Sequence, residues 1–284
     1  MTLRSPLRSL PLRPLAALAA LAALTLPSSR AVRAQAASTP PDDAAALMDK
    51  VFHRASWQDM TAKVRLTLRD KRGDTRTREL QMWSKKNAQG ESRMLMRFLA
   101  PADVRGMGFL LIEHEDGPDD RRLFLAAMRR VKRISASGSG GNFMSSDFTY
   151  YDIGRPKLTD WRFHLDGQRD VSFEGKPVPC AVVVGEAATA QVKHDTGYSK
   201  VVWFVDRARL VTLAADYFDT DGVLFKHLDV LALQDVNGVP FATHMRATDK
   251  TTGHQSEMRF EDLKTDQGVA DSTFTERALR RGVR

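Results

Sequence analysis

The sequence contains one cysteine, Cys180, in 284 residues. One thiol forms no internal disulfide, so no covalent framework holds the fold and paired-cysteine redox chemistry is excluded. It sits in the apolar run PVPCAVVV, where a buried, inert thiol is expected. Catalytic signatures are also missing. No G-x-S-x-G, H-E-x-x-H or C-x-x-C occurs. The glycine-rich run Ser137-Gly138-Ser139-Gly140-Gly141-Asn142 lacks the Lys-Ser/Thr and the helix of a phosphate-binding loop. None of the seven histidines pairs with another at metal-ligand spacing on one helix. His114 with Glu113, Glu115, Asp116, Asp119 and Asp120 is the one cluster suited to a hard cation, but a solvated acidic turn accounts for it more simply. Ser146, Asp147 and a distant histidine are what a lipid hydrolase would have to use, and spacing gives such a triad no support. These absences argue against an enzyme, and no metal or cofactor is expected.

Long apolar runs are scarce too. Only residues 15–26 (LAALAALAALTL) form one, short of the roughly 18 residues of a membrane-spanning helix. Arg4, Arg8 and Arg13 precede it and Ala34-Gln35-Ala36 follows, the layout of a secretory signal with a mature start at Ala37. An uncleaved anchor is the alternative. No cysteine lies near the cut, so a lipoprotein anchor on this chain is not expected. The first 36 residues hold five arginines and no acid, which leaves 38 basic against 35 acidic side chains in the rest. That balance does not call for nucleic acid as a partner.

What the sequence does have is alternation. An amphipathic helix is expected over about 44–57, from Leu47, Val51 and Phe52 on one face after Asp42 or Asp43 as cap. Met60, Ala62, Val64, Leu66 and Leu68 then alternate with polar residues, a strand wet on one face. Further strands are expected over 75–84, 92–99, 107–112, 122–134 (as one or two), 159–166, 170–174, 179–187, 198–206, 210–218, 223–234, 240–248 and 255–263. Asp166-Gly167, Glu174-Gly175, Asp221-Gly222 and Asn237-Gly238 supply hairpin turns. The tail from Ala270 onward is basic and weakly patterned, and fraying is expected there. The fold class is mainly β with a few helices (α+β), a single antiparallel meander over 37–284 that curls on itself.

The most unevenly composed stretch is 103–152. It holds an apolar strand, an acidic turn, a strand with Arg129, Arg130, Lys132 and Arg133, the glycine-rich run and FMSSDFTYYD. The four cations suit a headgroup-binding or partner-binding rim, or equally a charged edge strand that resists aggregation. The glycine run suits a hinge or a long hairpin tip. Ser145 or Ser146 can cap a short helix with Asp147 in its first turn. Phe143, Met144, Phe148 and Tyr151 would then form a plug over a cavity, or simply pack in the core.

This stretch resembles the LolA-like outer membrane lipoprotein-sorting protein family. The resemblance rests on Phe98-Leu99-Ala100-Pro101, on Gly106-Met107-Gly108-Phe109-Leu110, on residues 123–134 ending Arg-Arg-Val-Lys-Arg-Ile, and on residues 143–152. Ala126 or Ala127 stands where the family usually has proline, and Ser145 where it usually has glycine. The resemblance implies a strongly curved antiparallel sheet, an unclosed β-barrel wrapped around a few helices. It implies a periplasmic carrier of lipid or lipoprotein acyl chains bound for the outer membrane. The wall of the cleft would be drawn from Trp83, Met94, Met96, Phe98, Phe109, Leu111, Phe124 and Met128, although alternation does not say which face is concave. A monomer is expected. The alternatives are an adaptor docking on an inner-membrane exporter through the 129–133 face and, less favoured, a lipid hydrolase.

Overall fold

The period-two pattern after residue 59 becomes one sheet. In this computed structural model, residues 41–283 are described, apart from residues 55 and 89. The expected signal segment lies outside the described residues. Helix α1 (Pro41–Phe52) opens the described chain. The first six strands are β1 (Asp59–Arg69), β2 (Thr75–Lys86), β3 (Ser92–Ala100), β4 (Gly108–Ile112), β5 (Asp120–Leu125) and β6 (Arg130–Ile134). After residues 135–160 come β7 (Trp161–Phe173), β8 (Lys176–Ala187), helix α2 (Ala190–Thr196), β9 (Lys200–Asp206), β10 (Val211–Phe218), β11 (Leu224–Val236), β12 (Val239–Asp249), β13 (Gln255–Thr265) and helix α3 (Glu276–Arg281).

The thirteen strands form one sheet in the order β6-β5-β4-β3-β2-β1-β13-β12-β11-β10-β9-β8-β7, with every neighbouring pair antiparallel. Its edge strands, β6 and β7, follow each other in sequence but are not bonded to each other. The sheet is therefore an unclosed barrel, and residues 135–160 connect its two edge strands.

Alternation assigns the faces. Val64, Leu66, Leu80, Met96, Phe98, Phe109 and Leu111 point inward and pack with Phe143 and Phe148. Burying each such side chain contributes about 1.5–3 kcal/mol. Leu95, Leu110 and Phe124 point outward, where Phe274 and, from α3, Leu279 cover them. On the other half of the sheet, Leu47 and Met48 of α1 pack on Val183, Val201 and Trp203. The opposite face carries Cys180, Val182, Phe204 and Leu213.

Several expectations are corrected. The helix runs over Pro41–Phe52, starting earlier and stopping sooner than 44–57. Asp166-Gly167 is no turn: the two expected strands are replaced by the single strand β7, whose register with β8 shifts between Leu165 and Gln168. A bulge uses the same flexible residues as a hairpin. The basic tail is not frayed, because Thr275 caps α3 by accepting the Ala278 N–H (3.2 Å) and Leu279 is fully buried. Helix α2 was not anticipated. Thr189 and Gly197 bracket it as caps, but seven residues are too few to show a helical period. The Glu174-Gly175 and Asn237-Gly238 pairs both have the positive φ values that two-residue hairpins require.

Candidate functional site

Residues 142–153 lie against the inner face of the sheet. Asn142 bridges to Thr149, and the Phe143 N–H donates to the Phe148 carbonyl (2.7 Å), closing a tight loop. Met144 and Ser145 turn it with φ of 50° and 59°. Ser146 is fully buried and its hydroxyl donates to the Phe143 carbonyl (2.6 Å). Residue 143 starts a single 3-10 turn, so the capped helix with Asp147 in its first turn does not form. Instead the Asp147 carboxylate accepts the Ser256 hydroxyl and meets His254 Nδ1, each at 2.7 Å, which fastens the loop to β13 and the turn before it. Ser146 faces neither group, so the hydrolase constellation is not assembled.

The glycine-rich run is fastened as well. The Gly140 N–H and the Ser139 hydroxyl donate to the Asp195 carbonyl at 2.9 and 2.8 Å. A Cβ on Gly140 would stand 2.7 Å from the Thr196 carbonyl oxygen. Close approach to α2, rather than freedom as a hinge, is what requires glycine there.

Between this segment and the sheet lies a cavity of about 240 Å³. Six of its fourteen lining residues are methionines: Met60, Met82, Met94, Met96, Met245 and Met258. Phe148 and Ile153 close it from the inner segment, and Tyr217, Leu228, Phe241 and Phe260 complete the wall with Ser84 and Asp152. The chain has 11 methionines in all, so this side chain is concentrated at one place. Methionine is unbranched and polarizable and fits apolar surfaces of varied shape.

A polar clasp underlies the cavity. Lys226 Nζ sits 2.5 Å from the Asp152 carboxylate, with side-chain exposures of 3% and 7%. Asp152 also accepts the Thr149 N–H (2.7 Å) and the Tyr198 hydroxyl (2.9 Å). Lys226 lies over the Tyr198 and Tyr217 rings, 4.6 and 4.3 Å from their centroids. Burial draws the Lys226 ammonium below its ordinary value, against the pull of Asp152. The clasp ties the inner segment to β11 and to Tyr198 just before β9.

The residues singled out in the sequence fall at five places. Met94, Met96 and Phe148 line the cavity. Phe98, Phe109, Leu111 and Phe143 belong to the same inner cluster, fully packed behind it, with Met144 against its edge. Phe143 meets Phe109 and Tyr150 edge-on, at 5.4 and 5.6 Å between centroids. Tyr151 faces the α1 half, against Trp161 and Tyr198, and its hydroxyl donates to Asp160 (3.0 Å). Three expectations are corrected. Trp83 and Phe124 belong to the outer cluster beneath α3, because their positions alternate with the inner ones. Met128 is 70% exposed at the tip between β5 and β6. Met60, Met82, Met245, Met258, Phe241 and Phe260 were not singled out, although their positions in alternating strands were legible.

Arg129, Arg130, Lys132 and Arg133 are exposed on and beside the edge strand β6, and none lines the cavity, so they form no rim to it. The acidic turn also differs from a solvated run. Asp119 and Arg121 are buried and paired at 2.7 Å, and Lys157 joins Asp119 at 3.0 Å. Burial pushes the Glu113 carboxyl above its ordinary range, although the Arg155 N–H donates to it (2.7 Å). Among the described residues no group of three or more His, Cys, Asp or Glu is arranged to hold a metal ion.

A family model described only as "uncharacterized protein" matches residues 90–281. A crystal structure from Vibrio parahaemolyticus, described as an outer membrane lipoprotein-sorting protein domain, is similar with a TM-score of 0.77 at 27% identity, over 85% of this chain and 100% of that one. The chain belongs to the family of that model, and its structural neighbours are outer membrane lipoprotein-sorting domain and LolA-superfamily proteins. A DUF1329 family protein from Desulfovibrio piger is similar to this LolA-like chain at 27% identity and a TM-score of 0.75, over 84% and 97% of the two chains. A LolA superfamily protein from Nitrosomonas europaea, at 18% identity and a TM-score of 0.62 over 84% and 98%, shares the LolA-like fold. No curated protein matches the chain in sequence.

Proposed function

We propose that this LolA-like protein is a periplasmic carrier that holds an acyl chain of a lipid or lipoprotein in its methionine-lined cavity. It acts without catalysis and carries its cargo towards the outer membrane. The single observation that carries the reading is the cavity between the inner face of the sheet and residues 148–153. Similarity to a structure described as a lipoprotein-sorting domain supports it. Each buried CH₂ contributes about 0.8 kcal/mol, so a long chain gains on the order of 10 kcal/mol. Delivery to a membrane then requires loose rather than exact complementarity, which methionine supplies. The cavity of about 240 Å³ is smaller than the roughly 300–1,000 Å³ of pockets for drug-sized ligands. A full chain therefore enters by displacing methionine side chains or residues 148–153.

The test fills the cavity. Met96→Trp places an indole where an acyl chain would lie. Displacement of a fluorescent fatty acid should weaken at least tenfold in this variant, while Met128→Trp, on the outside, binds as the parent does. Equal binding by both variants would remove the cavity from the account.

A further inference from the structure

A second recess, of about 180 Å³, adjoins the apolar cavity and shares Met60, Ser84 and Phe241 with it. Its character is opposite. Arg54 reaches it from the segment after α1, and Lys86 reaches it from the end of β2. The Nη1 atom of Arg54 is buried and has no hydrogen-bond partner among the described residues. Burial lowers the Arg54 guanidinium from its ordinary value, with no carboxylate opposing the effect. A buried, unanswered donor on a cation is costly to keep.

The other charged groups of the recess are already engaged. Asp59 is its one carboxylate. Both of its oxygens accept backbone N–H groups, from Gln267 (2.9 Å), Gly268 (2.9 Å) and Val269 (3.1 Å). Lys85 is taken by Asp271 (3.0 Å) and the Val269 carbonyl (2.8 Å). Among the described residues, Arg54 and Lys86 are left as two cations with no acid of their own, at one end of a greasy cavity.

We propose that this recess seats an anionic oxygen group, carboxylate or phosphate, at the end of an amphiphile whose chain occupies the methionine-lined cavity. The inference rests on the carrier reading and adds the cargo's polar end to it. Guanidinium binds both oxyanions through charge-assisted hydrogen bonds, and an ammonium adds a point charge.

The test uses the full chain, titrated calorimetrically with palmitate, 1-palmitoyl lysophosphatidate, hexadecanol and inorganic phosphate. Palmitate or the lysophosphatidate, whichever carries the matching group, should bind at least tenfold more tightly than hexadecanol. Arg54→Gln should remove that advantage and leave hexadecanol unchanged, which also shows that the variant is folded. Lys86→Met should lower it by a smaller factor, and Arg54→Lys should retain part of it. The head that loses most in Arg54→Gln identifies carboxylate or phosphate. Hexadecanol binding as well as both anionic amphiphiles would overturn the proposal and leave the carrier reading intact. Inorganic phosphate binding as tightly as the amphiphiles would also overturn it, in favour of a free-anion site. Failure of all three chains to bind would overturn both readings.

Discussion

The Asp152–Lys226 clasp offers the sharpest energetic test of how the inner segment is held. Both side chains are nearly inaccessible, at 7% and 3% exposure, and lie 2.5 Å apart. Asp152→Ala leaves a buried ammonium with the Tyr198 hydroxyl and three ring faces for company. Lys226→Met leaves a buried carboxylate with the Thr149 N–H and the Tyr198 hydroxyl. Removing one member of a buried pair costs about 3–5 kcal/mol, because the partner keeps its desolvation penalty. In a domain of this size about 1 kcal/mol shifts Tm by roughly 2–4 °C, so each single variant should melt about 6–20 °C lower. The double variant removes both penalties. It should recover much of the loss, with a coupling of about 2–3 kcal/mol in a double-mutant cycle. Thermal unfolding followed by circular dichroism measures all four proteins. Single losses below about 1 kcal/mol, or a double loss equal to their sum, would refute the reasoning that this pair clasps the inner segment.

Two further predictions concern local electrostatics and backbone. Both nitrogens of His227 face carboxylates, Asp216 at 2.6 Å and Asp229 at 3.1 Å, and these hydrogen bonds raise its pKa to about 9. The raised folded value means the contribution is fully present below about pH 6.5 and is lost as pH rises through about 9. It amounts to roughly 2 kcal/mol once the ring's 22% exposure is allowed for. Urea denaturation at pH 6 and pH 9.5 should show this fall in the parent and not in His227→Gln, and a parent profile that does not fall would contradict the assignment. Ser145 has φ of 59°, a left-handed conformation that costs an L-residue about 1–2 kcal/mol. Ser145→Gly relieves it against a backbone entropy loss of about 0.5–1 kcal/mol, for a net gain of about 0.5–1 kcal/mol. A destabilised Ser145→Gly variant, read from denaturant midpoints, would show that the serine side chain itself holds the turn.

The strands were legible because side chains from Met60 to Leu68, and again from Gln255 onward, alternate between a packed face and a wet one. Strand pairing followed from the hairpin residues, except at Asp166-Gly167, where a bulge has the same chemistry as a turn. The inner and outer faces were not legible between β2 and β5. Both are apolar there, because residues 142–153 cover one and α3 covers the other. That is why Phe124 and Trp83 were assigned to the cleft with Met94 and Met96. The clasp was not legible at all, since Asp152 and Lys226 are 74 residues apart and each looks like an ordinary surface charge in its own strand or loop. The same holds for Arg54, whose significance lies in the absence of a partner among the described residues rather than in any motif. Ser145 is the exception among local signals. Its departure from the family's glycine fell at a position where φ is positive.

The central claim, that the methionine-lined cavity holds an acyl chain, is tested most directly by native mass spectrometry of the protein isolated from a Gram-negative envelope, with chloroform extraction of whatever accompanies it. The account predicts one fatty-acyl ligand per chain, diminished in Met96→Trp and retained in Met128→Trp. Protein that carries no extractable lipid and takes up no fatty-acyl probe would contradict it.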